Sequence, residues 1–479
     1  MAPGDKASGS DRHVHDVLVV GGGPAGSSCA YWLAEAGWDV ALVEKKRFPR
    51  EKTCGDGLTP RAVRQLADMG LEGALAGAHR CLGLRAHGFG RAVELPWPSH
   101  PGFPPYGYTV TRHDLDGLVA ERAAGAGATV WQGTEALRPL LADPDRRPRG
   151  GGPAGGGTPD EAGEDPGGRP LPYCLGAAVH DRGSGETREI HGRYVVVADG
   201  SNSRFGRALG TARRRSYPMG MALRGYYRSP RHDDPFIESH LDIRDAGGEI
   251  VPGYGWVFPL GDGRVNVGVG LLSTDSRWRG ANTSRLMDAF VGGAPKSWGL
   301  SPETACGPPT GGKLPMGLAV GPHAGPNTLV AGDAGGAINP FNGEGIAYGY
   351  ETGRLAAAFL GEALAGAGPA ALAGYDRHLA TAYGPYYRVA RAFVRVISHP
   401  EAMRRCVSVG MRSERFMGEL LRIMANLMRP DGVGPSEVGY GLLEMAARLV
   451  PEDEAALPGE AGEPAPPSVR TGEPAASDR

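Results

Sequence analysis

The chain has 479 residues, too many for one hydrophobic core, and is expected to form two or three joined domains. A net charge of −2 leaves no electrostatic footprint for a nucleic-acid partner. Six cysteines, at 29, 54, 81, 174, 306 and 406, have neither metal-ligand spacing nor a disulfide framework, which argues against a metal site and for a reducing, cytoplasmic compartment.

Residues 1–13 are polar and lack the apolar core of a secretory signal. Together with 143–171 and 452–479 they hold much of the Gly and Pro excess, so two disordered tails and one disordered surface insertion are expected. Val17 to Val20 make an apolar run of the kind that fills a strand buried on both faces. Gly21-Gly22-Gly23-Pro24-Ala25-Gly26 follows at once. A helical pattern then places Ala30, Leu33 and Ala34 on one face and stops at Gly37. A second apolar run, Val40 to Val43, ends on Glu44 and Lys45. Strand, glycine turn, helix, strand and acid together form a dinucleotide-binding unit. Gly21 permits the tight turn, Gly23 lets the backbone approach a pyrophosphate, and Gly26 lets the helix sit close to the strand. The helix N-terminus offers free N–H groups and a positive dipole end to the anion. Glu44 stands where the acid that binds ribose hydroxyls falls, with Lys45 beside it among the expected cofactor contacts. The fingerprint alone fits NAD or FAD. The same six letters recur at Gly150 to Gly155, between Arg-Pro-Arg and Gly-Gly-Thr-Pro, where neither a buried strand nor a helix can form; a loop is expected there.

After Glu44 comes Phe48-Pro49-Arg50-Glu51-Lys52-Thr53-Cys54-Gly55-Asp56-Gly57-Leu58-Thr59-Pro60-Arg61-Ala62-Val63. This stretch resembles the signature of the geranylgeranyl reductases, FAD enzymes that saturate isoprenoid double bonds, and most of all the branch acting on the prenyl tail of menaquinone. Later stretches agree. Thr111-Arg112-His113-Asp114-Leu115-Asp116 resembles the arginine-bearing helix start that contacts FAD in this superfamily. Val195 to Ser203, with Asp199, resembles its second flavin motif. Pro252 to Pro259 resembles the family's substrate-domain motif. Gly332-Asp333-Ala334 and Asn339-Pro340-Phe341-Asn342-Gly343-Glu344-Gly345-Ile346 resemble the loop that carries the ribityl chain and the flavin edge. The implied fold is α/β: a Rossmann-like FAD-binding domain of the glutathione-reductase and p-hydroxybenzoate-hydroxylase type, an antiparallel-sheet substrate domain and a C-terminal helical region. The implied cofactor is FAD. Asp333 is expected to accept from a ribityl hydroxyl, and the N–H groups of Gly343 and Gly345 to face the N1/O2 end of the flavin, with Pro340 and Ile346 alongside.

The expected FAD-binding domain comprises 14–80, 110–142, 172–215 and 320–385, and the substrate domain 81–109 and 216–319. In the latter, Leu241-Asp242-Ile243, Ile250-Val251 and Val265 to Gly270 read as strands, with turns at Gly247-Gly248 and Gly261-Asp262-Gly263. Tyr254, Trp256 and Phe258 are spaced by two and share one face. That face either packs on a helix or, as the resemblance implies, walls a pocket for an apolar tail. Cys54, taken alone, reads as a small buried hydrophobe. By resemblance it lies near the reactive face of the flavin and takes part in catalysis, with Lys52 as a neighbour able to lower its pKa.

The longest apolar candidate for a membrane span, 355–373, is Ala/Gly-rich and broken by Glu362 and Pro369. Residues 386–451 are expected to be helical. Within 386–430 stand nine Arg against three Glu, and Met403, Val407 and Met411, then Phe416, Leu420, Ile423, Met424 and Leu427, recur at helical spacing. The plain reading is helices packed on the substrate domain with a solvated arginine face. The sharper one is a cationic surface making peripheral contact with the inner face of the plasma membrane.

Three function classes follow. The first is an FAD-dependent prenyl reductase with a lipophilic prenyl substrate. Its electron donor is open between NAD(P)H, ferredoxin and others, since no second nucleotide fingerprint stands in a strand–helix context. The second is an aromatic monooxygenase or halogenase on the same fold; Tyr254-x-Trp256-x-Phe258-Pro259 resembles the halogenase motif with substitutions, but no lysine occurs between Lys52 and Lys296. The third, a flavin-free relative such as the Rab escort-type proteins, is disfavoured by the intact glycine turn, Glu44, Asp199 and Asp333.

Overall fold

The computed structural model describes residues 13–142, 170–245, 247–251, 253–274, 282–429 and 432–449. The expected C-terminal tail, the expected N-terminal one apart from His13, nearly all of the expected insertion, the second glycine-rich hexad and Pro252 lie outside the described residues.

The first apolar run becomes the strand Val14–Val20, paired in parallel with Val40–Glu44 on one side and Thr187–Val197 on the other. Thr129–Gln132 extends the sheet beyond Val40–Glu44, and Thr328–Val330 pairs in parallel with the end of Thr187–Val197. An antiparallel meander, Thr134–Leu141 and Cys174–Asp181, pairs with the start of that long strand. Both faces are covered, which is why these strands read as unbroken apolar runs rather than alternating ones. Val17, Val19, Val40, Leu42 and Val196 pack toward the helices Pro24–Glu35, Arg112–Gly125 and Ile346–Glu362. Leu18, Val20, Ala41, Val43, Val195 and Val197 pack the other way, against Ala177, Val179 and Phe205.

The second sheet runs Thr310–Pro315, Met219–Arg228, Arg264–Leu272, Gly253–Pro259, Phe236–His240, Gly83–Gly88 and Arg91–Pro96. Its pattern explains the Val-Asn-Val-Gly-Val-Gly stretch. Val265, Val267 and Val269 point to one face, where the helix Thr283–Gly293 packs on them through Leu286, Met287 and Phe290. Asn266, Gly268 and Gly270 point to the other face, opposite Phe258, Trp256 and Tyr254. A Cβ on Gly268 would stand 2.1 Å from the Trp256 ring, so only glycine leaves room for the indole. The strands expected at 241–243 and 250–251 differ from the structure: the strand is Phe236–His240, and the later residues keep only a bridge between Arg244 and Ile250. Both expected turns are present.

The C-terminal region is helical, with Gly374–Ile397, Pro400–Gly410, Glu414–Met424 and Pro435–Arg448. Met403, Val407, Met411, Met417 and Leu421 bury against Ala86, Val93, Leu95, Trp97 and Ile237 of the second sheet. The expected inward position of Phe416 is a miscount by one: Met417 faces the sheet and Phe416 is 56% exposed. No helix among the described residues is long and apolar enough to cross a membrane.

Candidate functional site

The glycine turn has two closed positions and one open one. Gly21 adopts φ +106°, and a Cβ there would stand 2.4 Å from the Ala198 carbonyl oxygen. A Cβ on Gly26 would stand 1.8 Å from the Gly21 carbonyl oxygen, so the helix rests directly on the strand. At Gly23 a Cβ would meet only Arg50 Nη2, at 3.9 Å. The helix that follows begins Pro24-Ala25-Gly26 and has no side-chain cap on its first turn. Those free N–H groups beside an open glycine edge are what a pyrophosphate needs.

Glu44 is buried at the end of its strand, where Oε2 accepts from the Gly22 N–H and Oε1 from the Lys46 N–H, both at 3.0 Å. Arg50 lies against the same carboxylate, with Nε 3.5 Å from Oε1 and Nη2 3.5 Å from Oε2, long contacts that leave it acceptor capacity for ribose hydroxyls. Lys45 beside it is exposed. Arg112 is buried at its helix start, with Nε and Nη2 both donating to Asp116 at 2.7 Å. Asp116 also takes Arg50 Nη1 at 2.9 Å, so one carboxylate holds two guanidiniums. Arg50 reaches the edge of the open glycine, and sequence reasoning passed over it. Its signal was the arginine that ends the Phe-Pro-Arg triplet.

Asp199 lies against the same turn. Its Oδ2 accepts from the Phe205 N–H at 3.1 Å, while its buried Oδ1 has no partner in the protein. Such an orphaned acceptor beside an open cradle fits a polyhydroxylated cofactor. The loop Gly332–Gly335 is drawn in by contact with the first helix: a Cβ on Gly332 would meet Ala25 Cβ at 2.7 Å, and one on Gly353 would meet the Ala25 carbonyl at 2.2 Å. Asp333 pairs with Lys52 Nζ at 3.6 Å. That pairing takes Lys52 toward Asp333 and makes it a weak influence on Cys54. Pro340 and Ile346 are buried, and Ile346 opens a helix without a side-chain cap. The Gly343 N–H, expected to face the cofactor, instead closes its own turn on the Asn339 carbonyl at 2.9 Å. The N–H groups at Gly345 and Ile346 are the ones left without intrahelical acceptors.

Cys54-Gly55-Asp56-Gly57 links these two halves to the second sheet. Asp56 is fully buried at φ +65°, a conformation a non-glycine residue holds only when its surroundings insist. Its Oδ1 accepts from the Arg112 N–H at 3.1 Å, and its Oδ2 from Tyr226 and from Asn266 Nδ2, both at 2.7 Å. Asn266 also donates to the Cys54 carbonyl at 2.9 Å and accepts from Trp256 Nε1 at 2.9 Å. Every polar atom of this amide is used, and it fixes the indole, the loop and the sheet together. Phe258 stands 3.1 Å from where a Cβ on Gly55 or Gly57 would be. Tyr254 donates to the Asn342 carbonyl at 2.7 Å. The aromatic face thus meets the two cofactor-side loops, and the helix lies on the opposite face.

Cys54 is a neutral thiol at physiological pH: burial raises its pKa, with Arg112 and Lys52 opposing and Asp56 assisting. Tyr254 is pushed up to about 12 by burial and by Cys54. Glu344, between Gly343 and Gly345, is raised to about 7 by burial, against Thr59 and Arg61. Sequence reasoning gave it no role.

The model of the FAD binding domain family matches residues 14–147. The chain is 40% identical over 416 residues to a menaquinone reductase of Mycolicibacterium smegmatis, covering 87% of this chain and 92% of that protein. It is 30% identical over 359 residues to digeranylgeranylglycerophospholipid reductase 1 of Methanopyrus kandleri, covering 73% and 81%. A geranylgeranyl bacteriochlorophyll reductase-like protein from Thermoplasma acidophilum superposes with TM-score 0.66 at 21% identity, covering 90% of this chain and 96% of that one, a likeness of fold. The protein is an FAD-dependent oxidoreductase, and the chain belongs to the geranylgeranyl reductase family, on the side of the menaquinone reductases.

Proposed function

We propose that the protein saturates a carbon–carbon double bond of an isoprenoid chain, and that the chain is the prenyl tail of a menaquinone. The observation that carries this reading is the 40% identity to a menaquinone reductase over 87% of the chain. The geometry of the site supports it. An unactivated alkene has no polar handle, so it must be held by shape in an apolar, dry space. Tyr254, Trp256 and Phe258 supply an aromatic face, and the neutral Cys54 thiol adds a soft apolar contact at the edge of that face.

When bound and reduced, FAD supplies a hydride, and with it two electrons. Gly21, Gly23, Pro24, Ala25 and Gly26 would hold its pyrophosphate with Arg50, and Glu44 and Lys45 would serve its ribose. Arg112 and Asp199 shape the crevice, Gly332 and Asp333 would receive the ribityl chain, and Pro340, Gly343, Gly345 and Ile346 would form the rim at the ring. Cys54 would stand beside the reacting part of the tail. A lipid-borne substrate also accounts for the C-terminal surface. Arg404, Arg405, Arg412 and Arg415 are exposed beside Val409 and Phe416, and the last helix exposes Val438, Leu442 and Met445. Cations mixed with apolar side chains are suited to an anionic bilayer surface; a peripheral contact at the cytoplasmic face follows.

The test is mass spectrometry of quinones from cells with and without the protein. The reading requires that loss of the protein removes the species whose tail is heavier by two hydrogens. Unchanged quinones in the two strains contradict it.

A further inference from the structure

Glu344 is a buried carboxyl that none of the roles above uses. Thr59 Oγ1 accepts from the Ala62 N–H at 3.5 Å as the cap of the helix Pro60–Asp68, so its own hydrogen goes to Glu344 Oε1. Oε1 is therefore an acceptor, and a proton on this carboxyl sits on Oε2. That atom is buried and has no hydrogen-bond partner in the protein. Leaving it so is costly unless something else meets it. The residue joins two loops that flank the aromatic face. Asn342, two residues before it, receives the Tyr254 hydroxyl, and Thr59 closes the segment that begins at Cys54.

Its surroundings keep the proton on. Arg61 faces it from the helix of Thr59, but Arg61 Nη2 is held by Glu351 at 2.8 Å. Glu351 and Tyr348 face it from Ile346–Glu362, Tyr386 approaches from Gly374–Ile397, and Tyr383 of that same helix donates to Glu351 at 3.0 Å. Burial and Glu351 favour the neutral carboxyl, and Thr59 and Arg61 favour the carboxylate, leaving it near pKa 7. A carboxyl so poised is suited to give up a proton at neutral pH.

We propose that Glu344 is the acid of the reduction, delivering the proton on Oε2 to the alkene carbon that does not receive the hydride. The assignment rests on the prenyl-reductase reading. The alkene π bond breaks. One carbon takes the hydride supplied by the reduced cofactor, and the other forms its C–H bond with the proton from Oε2. The Oε2–H bond breaks to leave a carboxylate, and bulk water returns the proton before the next turnover.

Two measurements test this on the FAD-loaded protein. The first needs no turnover: pH-difference infrared spectra of wild type and Glu344→Gln. A protonated-carboxyl band that titrates near neutrality in wild type and is missing in the variant is expected; its presence in both overturns the assignment. The second is anaerobic single-turnover reduction of menaquinone by the pre-reduced protein. Glu344→Gln should keep its flavin content and visible spectrum and lose about 100-fold or more in rate. The wild-type rate should fall as pH rises through about 7. Thr59→Val removes a hydrogen bond that favours the carboxylate, so it should retain activity with that midpoint moved upward, a shift that loss of packing alone does not produce. A Glu344→Gln rate within a few-fold of wild type, or an unmoved Thr59→Val midpoint, refutes the acid role and leaves the reductase reading standing. If wild type itself leaves menaquinone unreduced, both fall, and the infrared band then reports only a protonated side chain.

Discussion

Glu344 makes a stability prediction independent of catalysis. In the unfolded chain its carboxyl titrates near the ordinary glutamate value of 4.5, and in the folded protein burial lifts it to about 7. Below the first value both states carry the proton, and the group is neutral in its effect. Between the two, the folded state holds a proton that the unfolded state has released, so stability falls as pH rises. Above the second, the full gap between the two values weighs against folding by about 3 kcal/mol. Glu344→Gln cannot ionise and should not show this decline. Its amide brings two unpartnered N–H donors where the protonated Oε2 brings one, a cost of about 1 kcal/mol at any pH. The variant should therefore melt slightly below wild type at about pH 5 and above it at about pH 8.5, a swing of several degrees. The assay is thermal melting of both proteins at matched flavin occupancy, where all other titrating groups cancel. A difference that stays constant with pH refutes the buried, protonated assignment.

Gly23→Val places a side chain on the open glycine edge proposed to carry the pyrophosphate, and the purified protein should be colourless; stoichiometric flavin in that variant contradicts the role given to that edge. Asn266→Leu strips a buried partner from Trp256 Nε1 and Asp56, so unfolding should become easier by about 3 kcal/mol or more, read by denaturant titration; a loss below about 1 kcal/mol shows the amide to be dispensable. Cys54, held as a neutral thiol, should react with iodoacetamide near neutral pH far more slowly than the exposed Cys306 and Cys406, and Cys54→Ala should keep normal flavin while its rate or choice of double bond changes; a wild-type rate and product reduce it to packing.

What could be read from the sequence was local. Val17 to Val20, the glycine turn and Val40 to Glu44 lie within one short stretch, and burial on both faces left an unbroken apolar signature. The aromatic spacing of Tyr254, Trp256 and Phe258 gave their shared face, because a strand alternates. What that face meets depends on residues far away in the chain. Asn266 joins Cys54 and Asp56 across more than 200 positions, and Glu344 acquires its character from burial, from Thr59 and Arg61 far upstream, and from Glu351. An acid in a Gly-Glu-Gly loop looks like any solvated turn until those neighbours close around it. Arg112 and Arg50 show the same limit: both stand in recognisable motifs, yet only the folded chain reveals that Asp116 holds the two together and that Arg50 reaches the open glycine. Phe416 and Met417 are adjacent, and a helical stripe one residue out of phase reads nearly as well as the correct one.

The central claim is that electrons from the reduced flavoprotein end in a prenyl tail. It is tested most directly by mixing pre-reduced protein anaerobically with menaquinone and following flavin colour and quinone mass together. The account predicts that the oxidised flavin spectrum returns in step with tails heavier by two hydrogens, one double bond per turnover. Flavin that stays reduced, or that reoxidises while the tail keeps all its double bonds, contradicts it.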